Sequence, residues 1–298
     1  MKRFVLSLAL MTLPGSLLAD AQTEAFLAQG SCRAFVRQDE SKVLVGSSQG
    51  LVAISADGQV RSYDLGQVAR DALFLDQKLI VLVGSEVWVL DPQTGALGER
   101  YQTQKTKDPA TLKPQEMPRT LRLAGSNILI AHGTLGVSVF DWLQRSLATT
   151  IDVNGGERVK GMVQDIGVKD SVAYLLIDNY QISPARPSLE FRGFVLLDLQ
   201  TLKVGGRIGG LDPGATTLAF HEAEVLVSFA GMPVWKLELP LNPRQALAEV
   251  AHPVSDFGRP GHSVGHFSAD AAHVWTCHRE GSQGPSVPAL YDRTALGL

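Results

Sequence analysis

The sequence predicts an all-β fold, a β-propeller of six four-stranded blades, with seven as the alternative. Three observations carry that expectation. An apolar strand that runs into an acidic residue and a turn recurs along the chain, and a second apolar strand precedes nearly every copy. Also, 29 Gly and 15 Pro are scattered through 298 residues that are 45% hydrophobic and 19% charged, which suits many short strands joined by turns.

The clearest copy of the repeat is Glu86-Val87-Trp88-Val89-Leu90-Asp91-Pro92-Gln93-Thr94-Gly95. Its counterparts end at Asp141, Asp198, Glu238 and Asp292, and a degenerate first copy, Gly50 to Ser55, turns slightly later at Asp57-Gly58. Trp88 and Trp235 fall in the same register. The turn positions Ser55, Asp91, Asp141, Asp198, Glu238 and Asp292 are spaced 36, 50, 57, 40 and 54 apart, near the roughly 40 to 50 residues of a propeller blade. The preceding strands are 42–46, 78–84, 127–131, 171–177, 224–229 and 273–277, each divided from the repeat by Gly or polar residues in the manner of a hairpin. Weaker strands flank the pairs, at 72–75 and 121–123 before them and at 59–63 after, which completes four strands per unit. A four-stranded sheet cannot cover both its faces alone, so such units must stack radially and close.

The two ends of the chain carry further expectations. Lys2 and Arg3, an apolar run from Phe4 to Leu13, and Ala19-Asp20-Ala21 form the three parts of a secretory signal peptide over 1–21, leaving 22–298 as one propeller domain. The apolar run is too short to span a membrane, which takes roughly 20 residues in a helix. The pattern suits bacterial export, so the expected compartment is the periplasm. Only two cysteines exist, Cys32 and Cys277, and in an oxidising compartment they are expected to pair. After Asp292 only six residues remain, too few for a turn and a fourth strand. The mature N-terminus around Thr23 to Gln29 is therefore expected to supply the missing strand, a helix there being the alternative, and Cys32–Cys277 to fasten the same seam.

At these residues the sequence resembles the exported bacterial propellers of the quinoprotein-like and YVTN-repeat superfamily. The resemblance rests on the apolar strand followed by Asp-x-x-Thr-Gly, intact at Asp91 to Gly95 and partial at Asp198 to Thr201. It implies a fold, because that superfamily holds enzymes, assembly scaffolds and binding modules alike. The acidic and Thr residues of the motif read as turn caps.

Little points to catalysis. The chain has no GxSxG, HExxH, GxxxxGK or EF-hand loop. Neither the arginine, carboxylate and asparagine set of the quinoprotein enzymes nor the Glu, Asn and Asp calcium set of the six-bladed lactonases maps onto it. A quinone-cofactor dehydrogenase or a metal-dependent lactonase is therefore the alternative reading. His262, His266, His273 and His278 crowd the last unit, but a metal wants three or four convergent ligands, and no metal or other cofactor is expected. With 27 basic and 30 acidic residues, a formal charge of -3 and no run of like charges, a nucleic-acid partner is excluded.

The central funnel remains. The expected starts of the innermost strands place Arg33, Arg70-Asp71, Arg119, Gln164-Asp165, Thr216-Thr217 and His262 around one rim, where propeller ligand sites cluster. The arginines among them would favour a carboxylate or phosphate. Two long stretches, Lys105 to Pro118 and Asn179 to Arg192, exceed what a blade turn needs and would serve a protein partner. The functional expectation is a monomeric, non-catalytic binding or scaffold module for a periplasmic or envelope protein or a small anionic ligand.

Overall fold

The computed structural model describes residues 21–28, 32, 35–39, 42–153, 161–179, 191–211, 215–229, 234–242, 247, 251–254, 262–269, 273–280 and 286–294. The proposed signal sequence, apart from Ala21, and Arg33 lie outside them.

Among the described residues, twenty-three strands form six antiparallel sheets. Blade 1 comprises β1 (Val36–Asp39), β2 (Lys42–Gly46), β3 (Gly50–Ser55) and β4 (Val60–Asp64), paired in that order. Blade 2 holds β5 (Ala69–Leu75), β6 (Lys78–Val83), β7 (Glu86–Leu90) and β8 (Leu97–Gln102). Blade 3 has β9 (Leu121–Ala124), β10 (Asn127–Ala131), β11 (Val137–Asp141) and β12 (Ser146–Ile151), and blade 4 has β13 (Gly161–Lys169), β14 (Val172–Asn179), β15 (Gly193–Asp198) and β16 (Lys203–Gly209). Blade 5 follows with β17 (Ala215–His221), β18 (Glu224–Phe229), β19 (Trp235–Glu238) and the short β20 (His252–Pro253). In blade 6, β21 (His262–Ala269), β22 (His273–Glu280) and β23 (Ser286–Asp292) are the described strands. Each first strand packs against the first strand of a neighbouring blade, and β21 meets β1, so the ring closes.

The apolar pattern follows from that geometry. A second strand has a blade on either side, so Lys78–Val83 reads Leu-Ile-Val-Leu-Val after its lysine, with no polar alternation. Leu79, Val81 and Val83 join the cluster shared with blade 1, while Ile80 and Leu82 join the one shared with blade 3. Six such clusters fill the six interfaces. Fourth strands face solvent, and β8 is accordingly almost wholly exposed.

The turn caps act as the motif implied. Asp91 Oδ1 accepts from Gln93 N and Thr94 N, both at 2.8 Å, and Asp198 Oδ1 accepts from Gln200 N at 3.0 Å and Thr201 N at 2.7 Å. Gly136 opens the third strand of its blade at φ +96°, where a Cβ would lie 2.1 Å from the Ile151 carbonyl oxygen of the fourth strand. Only glycine fits there.

The seam differs in kind from the strand expected over 23–29. Ala21–Leu27 is a helix, α1, which rests on β3 and β23. Its sequence, Ala-Gln-Thr-Glu-Ala-Phe-Leu, is rich in strong helix formers and lacks the β-branched alternation of an edge strand. The chain then reaches blade 6, where Cys32 N donates to Ser286 O at 3.1 Å. Cys32 and Cys277 are bonded across 245 residues, both buried between blades 6 and 1. The stretch 103–118 between blades 2 and 3 holds two 3-10 turns, Pro109–Thr111 and Pro114–Glu116, and no strand of a seventh blade. Among the described residues no helix is long and apolar enough to cross a membrane.

Candidate functional site at the axial funnel

Four inner strands break register at one place. In β5 the pairing skips from Ala69 to Asp71, in β13 from Val163 to Asp165, in β17 from Ala215 to Thr217 and in β21 from Val264 to His266. Each is a β-bulge, whose extra residue is freed from the alternation between neighbouring blades. The extra residues are Arg70, Gln164, Thr216 and Gly265. Arg119 occupies the same place in blade 3, where its amide donates to Ala131 O at 2.8 Å just before β9.

The residues after the bulges turn inward and are used up there. Asp71 and Asp165 are each 1% exposed. Asp71 Oδ1 accepts from Ala72 N at 2.8 Å and Oδ2 from Leu121 N of the next blade at 2.8 Å. Asp165 repeats the arrangement, with Oδ1 taking Ile166 N at 2.8 Å and Oδ2 taking Leu218 N at 3.0 Å and Thr217 Oγ1 at 2.8 Å. Each carboxylate thus accepts an amide from the exposed edge of the next inner strand, a group that pairing within the sheet leaves over. Two buried anions need buried cations. Arg122 supplies one by spanning both, Nη1 to Asp71 at 2.9 Å and Nη2 to Asp165 at 2.6 Å, while Arg37 forks onto Asp71. Burial first, and then the neighbouring charge of Arg122, lowers the Arg37 pKa. The chain Arg37–Asp71–Arg122–Asp165–Thr217 therefore joins blades 1 to 5 around the axis.

Arg37 and Arg122 were missed by sequence reasoning. A signal was available for Arg122, which interrupts the apolar strand Leu121–Ala124 as the two aspartates interrupt theirs, but not for Arg37, whose strand also holds Gln38 and Asp39.

The bulge residues take no part in that buried chain of charges. Arg70 is exposed, and Arg119 is half-buried. Arg119 Nη2 reaches Met162 Sδ at 3.0 Å, while its buried Nε has no hydrogen-bond partner. Burial, and after it the charge of Arg70, lowers the Arg119 pKa, so the two guanidinium groups repel each other at the mouth. Farther round, Gln164 Nε2 reaches Asp178 Oδ2 at 3.4 Å, Arg192 Nε lies 3.6 Å from Asp178 Oδ1, and Thr216 Oγ1 shares a hydrogen with Ser228 Oγ at 2.8 Å. His262 opens β21, but its side chain lies outside the described residues.

The first long stretch borders this mouth as a rigid ledge. Gln104 Oε1 accepts from Thr106 N at 2.7 Å and Lys107 N at 2.8 Å, and Lys107 pairs with Glu116. His132, fully buried, touches Glu116 O at 3.2 Å through Nδ1 and Thr103 O at 3.0 Å through Nε2, which pins both ends of the ledge to blade 3. Of the second stretch, residues 180–190 lie outside the described set. Among the described residues no three His, Cys, Asp or Glu side chains converge as metal ligands.

No protein-family model matches the sequence, and no characterised protein matches it. Solved structures do. The Cps50 (Swd1) β-propeller domain of Myceliophteria thermophila superposes with a TM-score of 0.58 at 14% identity, over 88% of this chain and 86% of that one. The Pan2 WD40 domain of Neurospora crassa gives 0.55 at 13% identity, over 82% and 72%. BamB from Moraxella catarrhalis gives 0.49 at 17% identity, over 87% and 76%. At these identities the first two likenesses fix the architecture as a β-propeller, and what it binds has to be argued from its own side chains.

Proposed function

We propose that this chain is an exported, periplasmic, non-catalytic binding module, acting as a monomer, that holds an anionic group of a protein or small ligand at the axial mouth. The observation that carries the reading is the pair Arg70 and Arg119. Two guanidinium groups are held near enough to oppose each other, Asp178 offsets that repulsion at Arg119 without reversing it, and Arg119 has a buried N–H left over. Holding like charges together costs free energy, and an oxyanion would relieve both the repulsion and the unmet donor. Gln164 and Thr216 add neutral polar groups to the same rim, and Arg33 and His262 are expected there too, whereas Thr217, Asp71 and Asp165 are buried in the frame behind it. Export is supported by the basic, apolar and small-residue order of 1–21, and by a disulfide of the kind oxidising compartments favour.

The test is a thermal shift titration with inorganic phosphate and with citrate. A ligand present at about 100 times its Kd adds about 2.7 kcal/mol, or roughly 5 to 10 °C in a chain of this size. Wild type should show the rise with at least one of the two anions, and Arg70→Ala/Arg119→Ala should lose it while its ligand-free Tm stays put. An unchanged response in the double variant would remove the mouth as the site. N-terminal sequencing of the exported protein should begin at Gln22 or Asp20.

A further inference from the structure

The opposite face carries a second site. β5 begins at the mouth and ends at Leu75, so the turn at Asp76 and Gln77 lies at the far end of the ring. There a cleft of about 960 Å³ opens between blades 1 and 2, at the upper end of the roughly 300 to 1,000 Å³ common for binding pockets. Its walls come from β2, β3 and β4 on one side and from the turns of blade 2 on the other.

Most of the polar groups in these walls are already engaged. Asp91 caps its own turn, and Asp76 Oδ2 accepts from Trp142 Nε1 at 2.6 Å. Arg61 Nη1 donates to Pro92 O at 3.2 Å and Tyr63 OH donates to the same oxygen at 2.8 Å, tying blade 1 to the blade 2 turn. Ser55 Oγ is bonded to Asp57. The walls are therefore held in place before any ligand arrives. What they leave over is two ammonium groups, of which Lys78 acts at a distance on Asp91, and the amides of Gln77 and Gln93, that of Gln59 being bonded to Asp57. Lys42 Nζ stands 4.3 Å from the Phe74 ring centroid and Lys78 is exposed, and among the described residues no ion pair engages either. Gln59, Gln77 and Gln93 are exposed along the same cleft.

We propose that the cleft between blades 1 and 2 binds an extended acidic segment of a partner protein. Its carboxylates meet Lys42 and Lys78, and its main-chain groups meet Gln77 and Gln93. The charge argument sets the sign, because Lys42, Arg61 and Lys78 outnumber Asp76 and Asp91 in the lining, even with Lys78 acting on Asp91. The amides set the kind of ligand. Each offers a donor and an acceptor, which matches a peptide backbone. Lysine is a point charge suited to a mobile carboxylate side chain, unlike the forked arginines at the other face. A scaffold would then hold two ligands on opposite faces of one ring.

The experiment is fluorescence anisotropy with a fluorescein-labelled octapeptide of alternating Glu and Ser, using the Lys and Ser octapeptide as control. The acidic peptide should bind and the basic one should not. Affinity should fall about tenfold or more in Lys42→Ala/Lys78→Ala and again in Lys78→Glu, an exposed change that leaves the fold intact, and added salt should weaken it. Arg70→Ala/Arg119→Ala should bind the peptide as wild type does, which separates this site from the mouth. Equal binding of both peptides, an unchanged Kd in the lysine variants, or no binding of the acidic peptide by about 1 mM would overturn the proposal.

Discussion

Replacing Arg122 by leucine tests whether the axial chain of charges holds the ring. Arg122 is the one side chain that reaches both Asp71 and Asp165, at 2.9 and 2.6 Å, and its side chain is only 17% exposed. Leucine roughly keeps the apolar part of the volume and removes the charge. Asp71 retains Arg37 and two amides, whereas Asp165 keeps two amides, the Thr217 hydroxyl and the more distant charge of Arg37 but loses the cation bonded to it. Removing one partner of a buried pair typically costs about 3 to 5 kcal/mol, because the other charge stays buried. At about 2 to 4 °C per kcal/mol for a large domain, Tm should drop by roughly 6 to 20 °C. Urea unfolding followed by tryptophan fluorescence gives the free energy directly. The argument also predicts coupling: Arg122→Leu/Asp165→Asn should cost less than the two single changes summed, since the neutral amide needs no counter-charge. A loss below about 1 kcal/mol in Arg122→Leu, or strict additivity in the cycle, would show that the carboxylates are satisfied by amides alone and that the arginine is incidental.

Two other expectations follow from buried groups. Removing the seam disulfide with Cys32→Ala/Cys277→Ala frees a loop of 245 residues, which in the chain-entropy account costs about 5.5 kcal/mol, so unfolding should shift to clearly lower urea; a loss under about 1 kcal/mol would refute the seam as a stabilising link. His132 has its pKa lowered, chiefly by burial, so below about pH 6.5 the unfolded chain binds a proton that the folded one resists. Stability from this group is therefore present above that pH and is lost as pH falls toward the folded value, and His132→Gln should flatten the dependence of the urea midpoint between pH 7.5 and 5, equal slopes counting against it.

Blade number was legible because the second and third strands are buried on both faces, and that burial writes itself as uninterrupted runs such as Leu79 to Val83 and Val87 to Leu90. First and fourth strands were fainter for the opposite reason: β8 and β12 are mostly exposed, and composition there is unconstrained. The seam was only half legible. A strand from the N-terminal segment was expected at blade 6, but whether seven residues coil or extend depends on what they pack against, and α1 sits on β3 and β23 rather than in the ladder. The funnel was legible by position and not by role. Sequence spacing placed Arg70 and Asp71 together at the rim, yet one is exposed and the other is 1% exposed. The bulge that separates them leaves no mark in the sequence.

That bulge divides the labour between neighbouring residues, and the division bears on what the mouth can do. An unbroken inner strand alternates its side chains between the two adjacent blades, so every charged residue in it must be neutralised inside a blade interface. One extra residue gives the strand a position that belongs to neither interface. In blades 2 and 4 the inward residue is an aspartate that accepts the next strand's edge amide, and the extra residue just before it is Arg70 or Gln164. The rigid frame and the free polar group thus arise from two consecutive residues, one locked and one available. Changing Arg70 therefore leaves the hydrogen bonds of Asp71 intact, which is why a binding defect without a stability defect is the expected signature at the mouth. Changing Asp71 should do the reverse, unfolding the frame from which any ligand group would be presented.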